Sequence, residues 1–270
     1  ELPEQFGSLR ALQQLRLGRN ALRRLPESFG ALAALRILAL EENLLDELPD
    51  SFENLSSLQV LNLDGNCLRE VPSSLCLPSL EKLWIGCNAV RKLPDAALHK
   101  LRGLKELSLK CNSLQWLPDS LGILGTLEVL YLQENLLEGL PSSLGALKKL
   151  RMLWLEDNKL LGLPDSCLEE HSLPALQLVR LRNSGLAAGP EARECAEAVG
   201  QPLLKRAWLR ELAAHTEAEP APEEEGLQLL QQSGEVVQAQ PLSKRLAARF
   251  LRVLAEISRV CCHSREPEQE

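Results

Sequence analysis

The sequence predicts an α/β solenoid, in which short strands from successive coils pair into one concave parallel β-sheet and helices follow at the carboxyl end. Two observations predict it. The pattern L-x-x-L-x-L-x-x-N-x-L recurs at a period of 22 to 24 residues, with its asparagine at Asn20, Asn43, Asn66, Asn88, Asn112, Asn135 and Asn158. A proline stands six residues after each of these asparagines. A period of this length is the signature of stacked coils.

Each slot of the repeat has a physical reason. Alternation in Leu-x-Leu makes a strand whose leucines point inward, and each buried leucine contributes about 1.5–3 kcal/mol. The asparagine amide both donates and accepts, so stacked asparagines can pair with adjacent coils. The proline ends the strand and opens the return, which we expect to hold a short turn or a single helical turn. Phe6, Phe29 and Phe52 share one slot there and are predicted core.

The array is predicted to cover residues 1–188, in about eight repeats. Its eighth repeat is degenerate, because Ser184 occupies the asparagine slot. Pro3 continues the proline ladder backwards, so its asparagine would precede residue 1. We therefore expect the array to be truncated at its amino end and the chain to be a fragment.

Composition points to an intracellular protein. The net charge of −7 is modest and acidic, which disfavours a nucleic-acid partner. No stretch approaches the roughly 18 apolar residues of a membrane span, and no signal peptide opens the chain. The eight cysteines are scattered and do not cluster into caps at the ends of the array. We therefore expect a cytoplasmic location, with a membrane-peripheral one as the alternative.

The run Leu-Pro-x-Ser-Leu-Gly-x-Leu-x-x-Leu-x-x-Leu-x-Leu-x-x-Asn at residues 140–158 resembles the 23-residue type of intracellular leucine-rich-repeat proteins. These are the Shoc, erbin, scribble and plant Ras-group scaffolds. The resemblance covers residues 1 to about 188. It implies a leucine-rich-repeat horseshoe that acts as a scaffold or adaptor in signal transduction, with small-GTPase or phosphatase pathway components among its candidate partners.

The outward residues of the strands should line the concave face and meet a partner there. The residue between the two strand leucines is, in order, Arg16, Ala39, Asn62, Trp84, Ser108, Tyr131, Trp154 and Arg180. Tryptophan, tyrosine and arginine most often carry interface energy. Trp84, Tyr131, Trp154 and Arg180 are therefore predicted partner contacts. The alternative is that the aromatic side chains only shield the sheet.

Acidic residues follow the same strands. Glu134, Glu156 and Asp157 stand beside Tyr131 and Trp154, and we predict that they contact the partner as well. A partner segment with basic residues flanked by apolar ones would suit this zone. A merely solvated surface is the alternative reading.

Cys87 and Cys111 occupy one slot in successive coils. Their Cα atoms should lie about one strand spacing, roughly 5 Å, apart. A disulfide or a metal pair is conceivable there. Two reduced thiols are the favoured reading, because a zinc site normally has four ligands and none converge here.

Beyond the array, residues 189–216 are predicted to form a helical cap with Trp208 in its core. Residues 217–240 read as an acidic linker. Residues 241–263 read as a basic amphipathic helix, which suits an anionic membrane surface, a calmodulin-like groove or a helical partner. An ordinary docked helix is the alternative. Cys261 and Cys262 beside it could accept reversible lipid.

No catalytic constellation, metal-ligand cluster or cofactor motif is found, so we expect neither enzyme activity nor a cofactor. The alternative function is that of a substrate-recognition arm, whose catalytic domain would lie in another part of a larger enzyme. A pathogen-sensing receptor would favour longer repeats. Binding of a protein partner is the function that the sequence predicts.

Overall fold

The computed structural model describes residues 2–72, 74–169, 172–186 and 202–216, all within the first of the chain's two units, residues 1–220. Its centre is a sheet of eight parallel strands, each paired with its neighbours in chain order. The strands are β1 (Gln14–Arg16), β2 (Ile37–Ala39), β3 (Val60–Asn62), β4 (Lys82–Trp84), β5 (Glu106–Ser108), β6 (Val129–Tyr131), β7 (Met152–Trp154) and β8 (Leu178–Arg180). The predicted solenoid is confirmed. Each coil takes the number of its strand.

A short helix crosses the return of most coils and begins directly after the proline of the repeat. Because proline fixes φ near −65° and lacks an N–H, it suits the residue that opens a helix. Five returns form 3-10 helices, at Glu4–Ser8, Glu27–Ala31, Asp50–Asn54, Asp119–Ile123 and Ser142–Ala146. Two form short α-helices, α1 (Asp95–Lys100) and α2 (Asp165–Leu168). Of the two predicted forms of the return, a short turn or a single helical turn, these seven returns take the helical one.

The coils splay apart on the return side. The rings of Phe6 and Phe29 stack with centroids 6.0 Å apart, and those of Phe29 and Phe52 with centroids 6.3 Å apart. Paired strands are only about 4.7–4.9 Å apart. The wider spacing at the returns bends the array with its sheet on the inner side. Phe29 and Phe52 are fully buried, as predicted, and Phe6 is partly buried at the open end.

A buried asparagine ties each interior coil to the coil before it. The Nδ2 of Asn66 donates to the carbonyl oxygens of Leu63 in its own coil and Leu40 in the preceding coil, each at 3.0 Å. Its Oδ1 accepts from the N–H of Leu45 at 3.0 Å. The same three bonds recur at Asn43, Asn88, Asn112, Asn135 and Asn158.

In the last coil, a backbone carbonyl takes the place of the asparagine side-chain amide. Ser184 is fully buried, and its backbone carbonyl accepts from the N–H of Leu160 at 2.6 Å, in the place of an asparagine Oδ1. Gly185 follows with a φ of +95°, which a residue with a side chain rarely adopts. The degenerate repeat therefore keeps the bond and changes the group that makes it.

A helix closes the carboxyl end of the sheet. Helix α3 (Pro202–Thr216) packs on β8, with Leu204 and Trp208 buried. The indole N–H of Trp208 donates to the carbonyl of Leu186 at 3.1 Å. The carboxylate of Glu211 accepts from the N–H of Asn183, which has no further coil to bond. Trp208 is thus core, as predicted.

The other predicted carboxyl-terminal segments, 189–200, 217–240 and 241–263, lie outside the described residues. Among the helices that are described, none is long and apolar enough to cross a membrane.

We predict that Asn112→Ala lowers the free energy of unfolding by about 2–5 kcal/mol, because it leaves the buried N–H of Val90 without an acceptor and removes two further hydrogen bonds. The carbonyls of Ile85 and Leu109 lose one donor each and keep the bonds from Asn88 and Asn135. Urea unfolding followed by circular dichroism measures the change. Asn54→Ala, at an exposed position, is the control and should shift stability by no more than about 0.5 kcal/mol. Equal stability of the two variants would refute the ladder's energetic role.

Candidate binding surface on the strand face

The in-register pairing of the strands aligns outward side chains into columns across the sheet. Because side chains alternate along a strand, the first and third residues of each strand point to the same open face. The pairing places Trp84 beside Ser108, Ser108 beside Tyr131, Tyr131 beside Trp154, and Trp154 beside Arg180. All four predicted contact residues from this column therefore lie on one face.

Three of these residues form a continuous aromatic row: Tyr131, Trp154 and Arg180. The rings of Tyr131 and Trp154 are tilted by 38°, with centroids 5.8 Å apart. The guanidinium carbon of Arg180 lies 5.5 Å from the centroid of the Trp154 ring, a cation–π contact worth roughly 0.5–2 kcal/mol. All three side chains are half-buried. The contacts fix the orientation of the row before any partner arrives.

Trp84 stands apart from the aromatic row. Ser108 lies between Trp84 and Tyr131 and is only 2% exposed, so two strand spacings separate the two aromatic residues. The indole N–H of Trp84 donates to Glu106 Oε1 at 2.8 Å. The other oxygen of Glu106 forms an ion pair with Lys82 at 3.5 Å. The structure thus ties Trp84 to a polar cluster of its own.

Glu106 also affects the neighbouring tyrosine. Burial, and then the negative charge of Glu106, raise the pKa of Tyr131 to about 12. The phenol therefore stays protonated at neutral pH and keeps its O–H for donation. Sequence reasoning missed Glu106, although its place opposite Lys82 at the start of adjacent strands could have suggested the ion pair.

Three apolar side chains, also missed, widen the site. Val129, Met152 and Leu178 begin strands β6, β7 and β8, and lie next to one another across the sheet. They are half-buried and do not join the buried core cluster. We call these three residues the apolar floor. Period-two alternation, applied to the residue two places before the aromatic row, would have identified them.

The predicted acidic residues border the aromatic row. We call Glu134, Glu156 and Asp157 the acidic ridge. None of them forms an ion pair within 4.0 Å among the described residues, although Asp157 accepts a hydrogen bond from Asn183 Nδ2 at 2.8 Å. Burial raises the pKa of Glu156, and the charge of Arg180 partly offsets this.

The opposite margin of the apolar floor is electrically neutralised. There Arg151 pairs with Glu128 at 3.8 Å, and along the same edge of the sheet, in coils 5 and 4, Lys105 pairs with Glu81 at 3.0 Å. Negative charge therefore lies on one side of the apolar surface only. The aromatic row, the apolar floor and the acidic ridge together form what we call the binding patch.

The backbone beside the patch takes a left-handed turn in every coil. The residue before each ladder position has a positive φ, from 51° to 70°: Arg19, Glu42, Gly65, Cys87, Cys111, Glu134, Asp157 and Asn183. The N–H of Glu134 donates to the carbonyl of Glu156, and that of Asp157 to the carbonyl of Arg182. Two residues of the acidic ridge are therefore held by the main-chain ladder.

No disulfide joins the described cysteines Cys67, Cys76, Cys87, Cys111 and Cys167 to one another. Within the described part of the chain, no group of three or more histidine, cysteine, aspartate or glutamate side chains could hold a metal ion. Three large apolar side chains among the described residues are well exposed: Leu9 at 48%, Trp116 at 52% and Leu161 at 85%.

Comparison with known proteins matches the repeats. Residues 78–137 match the family described as leucine rich repeat, and residues 56–97 match a family of two leucine rich repeats. Comparison with curated protein sequences gave no significant match.

Solved structures are similar in fold. A leucine-rich-repeat protein of Leptospira interrogans is 28% identical, with a TM-score of 0.53, over 67% of this chain and 53% of that one. The plant peptide hormone receptor RGFR1 in complex with RGF2 is 31% identical, with a TM-score of 0.60, over 67% and 30%. A TDR receptor is 29% identical, with a TM-score of 0.56, over 66% and 32%. The chain spans about half or less of the length of these proteins.

We predict that Glu156→Gln raises the stability of the protein at pH 7 and not at pH 4. Because the pKa of Glu156 is raised in the folded state, the contribution of Glu156 to stability is fully present below its unfolded pKa, near 4.5, and is lost as pH rises through its folded pKa. Glutamine does not ionise, so the variant avoids this loss. The loss is less than about 1 kcal/mol, because solvent screens a half-exposed group. Urea unfolding at both pH values measures it, with exposed Glu138→Gln as control. Lower stability of the Glu156→Gln variant at pH 7 would mean that attraction to Arg180 outweighs burial.

Proposed function

We propose that this chain, which is a leucine-rich-repeat protein, holds a protein partner on the strand face of coils 6 to 8. Leucine-rich repeats support a protein-interaction role in general. The observation that carries the finer proposal is the contiguous binding patch, in which Tyr131, Trp154 and Arg180 contact one another above the apolar floor.

The patch has the composition of an interface centre. Trp, Tyr and Arg are the side chains that most often dominate binding energy, and they do so where surrounding contacts exclude water. Here the row is pre-ordered by its own ring contacts, so less side-chain entropy is lost on binding. The apolar floor adds area that becomes fully buried only under a partner.

Two hydrogen-bond donors within the aromatic row lack an acceptor among the described residues. Trp154 Nε1 and Arg180 Nε are buried from solvent and have no hydrogen-bond acceptor in the described structure. A buried donor without an acceptor costs about 1–3 kcal/mol. Because neither atom is exposed, a partner oxygen recovers that free energy only if the Trp154 and Arg180 side chains rotate when the partner binds.

The charge pattern indicates the kind of segment that fits. The acidic ridge lies along one margin of the apolar surface, and the neutralised pair Glu128–Arg151 lies along the other. A segment with apolar side chains along one side and lysine or arginine along the adjoining edge would match both margins. We propose this chemistry for the partner.

The cellular role follows as a proposal from the resemblance to intracellular scaffolds. We propose a non-catalytic adaptor in signal transduction, located in the cytoplasm, with a small-GTPase or phosphatase pathway as the first place to look for the partner.

We predict that the double variant Tyr131→Ala/Trp154→Ala loses a small, defined set of proteins in affinity capture from cell lysate. The loss should reach about tenfold or more, since two interface anchors contribute at least about 1.4 kcal/mol together. The matched control is Trp116→Ala, which removes an exposed tryptophan outside the strand face. Circular dichroism verifies that both variants fold. Identical capture by the double variant and the native chain would exclude the patch.

We also predict that neutralising the acidic ridge with Glu134→Gln/Glu156→Gln/Asp157→Asn slows association with a captured partner and flattens its salt dependence. Exposed charges near an interface act mainly on the association rate. Surface plasmon resonance at two salt concentrations measures both effects. A control with Glu81→Gln, on the neutralised margin, should change the salt dependence little. An unchanged association rate for the ridge variant would contradict the assigned partner charge.

A further inference from the structure

Cys87 in coil 4 and Cys111 in coil 5 lie outside the binding patch and occupy matching positions of adjacent coils. Cys87 and Cys111 occupy the same left-handed slot, with φ angles of 52° and 51°. Their N–H groups donate to the carbonyls of Lys110 and Gln133, each at 2.9 Å. Both residues are therefore fixed in register, one ladder step apart.

The distance between residues one ladder step apart is suitable for a disulfide. Neighbouring chains in a parallel ladder are about 4.7–4.9 Å apart, and the Cα atoms of disulfide-bonded cysteines are usually about 4.4–6.8 Å apart. Both side chains leave the backbone in the same direction, because the two residues share one left-handed conformation at equivalent positions of adjacent coils. The two sulfur atoms can therefore join without a change of backbone register.

The two thiols differ in their surroundings. Cys87 is half-buried at the rim of the strand face, whereas Cys111 is only 7% exposed. The hydrogen bond from the Cys111 thiol lowers the pKa of Cys87, against the effects of burial and of Asp64. The same bond and burial raise the pKa of Cys111. Cys87 is thus the accessible nucleophile, and Cys111 is the protonated neighbour beside it.

We propose that Cys87 and Cys111 are a peroxide-sensitive dithiol that closes into a reversible disulfide between coils 4 and 5. In the first step the Cys87 thiolate attacks hydrogen peroxide. The S–O bond forms, the O–O bond breaks, and the leaving hydroxide takes up the proton lost by Cys87, giving water. In the second step the Cys111 sulfur attacks the sulfenic sulfur. The S–S bond forms, the S–O bond breaks, and the hydroxyl leaves as water with the Cys111 proton. Two thiols and one peroxide give one disulfide and two waters.

Closure would reach the acidic ridge. Glu134 of coil 6 takes the next position of the same left-handed slot, one ladder step from Cys111, and its carbonyl accepts from the N–H of Asn112. The disulfide removes the thiol proton of Cys111 from the surroundings of this residue. The redox state of the dithiol is thereby linked to one residue of the ridge. This last link depends on the proposed function, whereas formation of the disulfide does not.

The test is peroxide titration of the folded, intact chain, followed by alkylation and tryptic peptide mapping without reduction. We expect a disulfide-linked pair of peptides, 83–91 and 111–148, that accounts for most of the Cys87 thiol lost. Cys87 should disappear before Cys67 and Cys76, which are internal references. Dithiothreitol should restore both thiols.

Two variants separate the roles. In Cys111→Ser the sulfenic acid on Cys87 should persist and be trapped by dimedone, and Cys111→Ala serves if the serine variant does not fold. In Cys87→Ser, Cys111 should stay reduced at the same peroxide dose. The proposal is overturned if the linked peptides form only in urea. It is equally overturned if Cys87 is oxidised no earlier than Cys67, or is oxidised without the cross-link.

Discussion

The hydrogen bonds of the buried asparagine column set the architecture of this protein. Each amide joins two carbonyls and one N–H from two coils, so a single side chain fixes both the shape of its own turn and the position of the coil before it. Leucine burial supplies most of the driving force but has no direction. The amide bonds supply the direction, since an amide moved by one residue would leave buried polar groups unpaired.

A strict register has a consequence for function. Because the leucine and asparagine positions of the repeat supply the core and the turn, the outward strand residues do not have to fill the core or form the ladder. They can vary from coil to coil while their positions stay fixed. In coils 6 to 8 this freedom yields two aromatic rings, an arginine and three apolar side chains on adjacent strands. The array is thus a rigid frame that presents a row of chosen side chains at regular spacing.

The repeat allowed the sequence to predict the fold and the open-face column, because period and alternation are local properties. The features that the repeat did not predict depend on contacts between coils. The main-chain substitution at Ser184 could not be predicted, since it needs the left-handed turn at Gly185. Ser108 already separates Trp84 from Tyr131 in the sequence-derived column, whereas the hydrogen bond from Trp84 to Glu106 emerged only from the structure. The apolar floor could have been predicted, because its residues lie two places before the aromatic row in each strand and alternation puts them on the same face.

The most direct test of the central claim is hydroxyl-radical footprinting of the complex with a captured partner. The strand-face account predicts that Tyr131, Met152 and Trp154 are protected from oxidation when the partner binds, while Trp116, which is exposed elsewhere, is oxidised at the same rate in the free and bound states. Protection of Trp116 together with unchanged oxidation of Tyr131 and Trp154 would contradict it, and would place the partner away from the strand face.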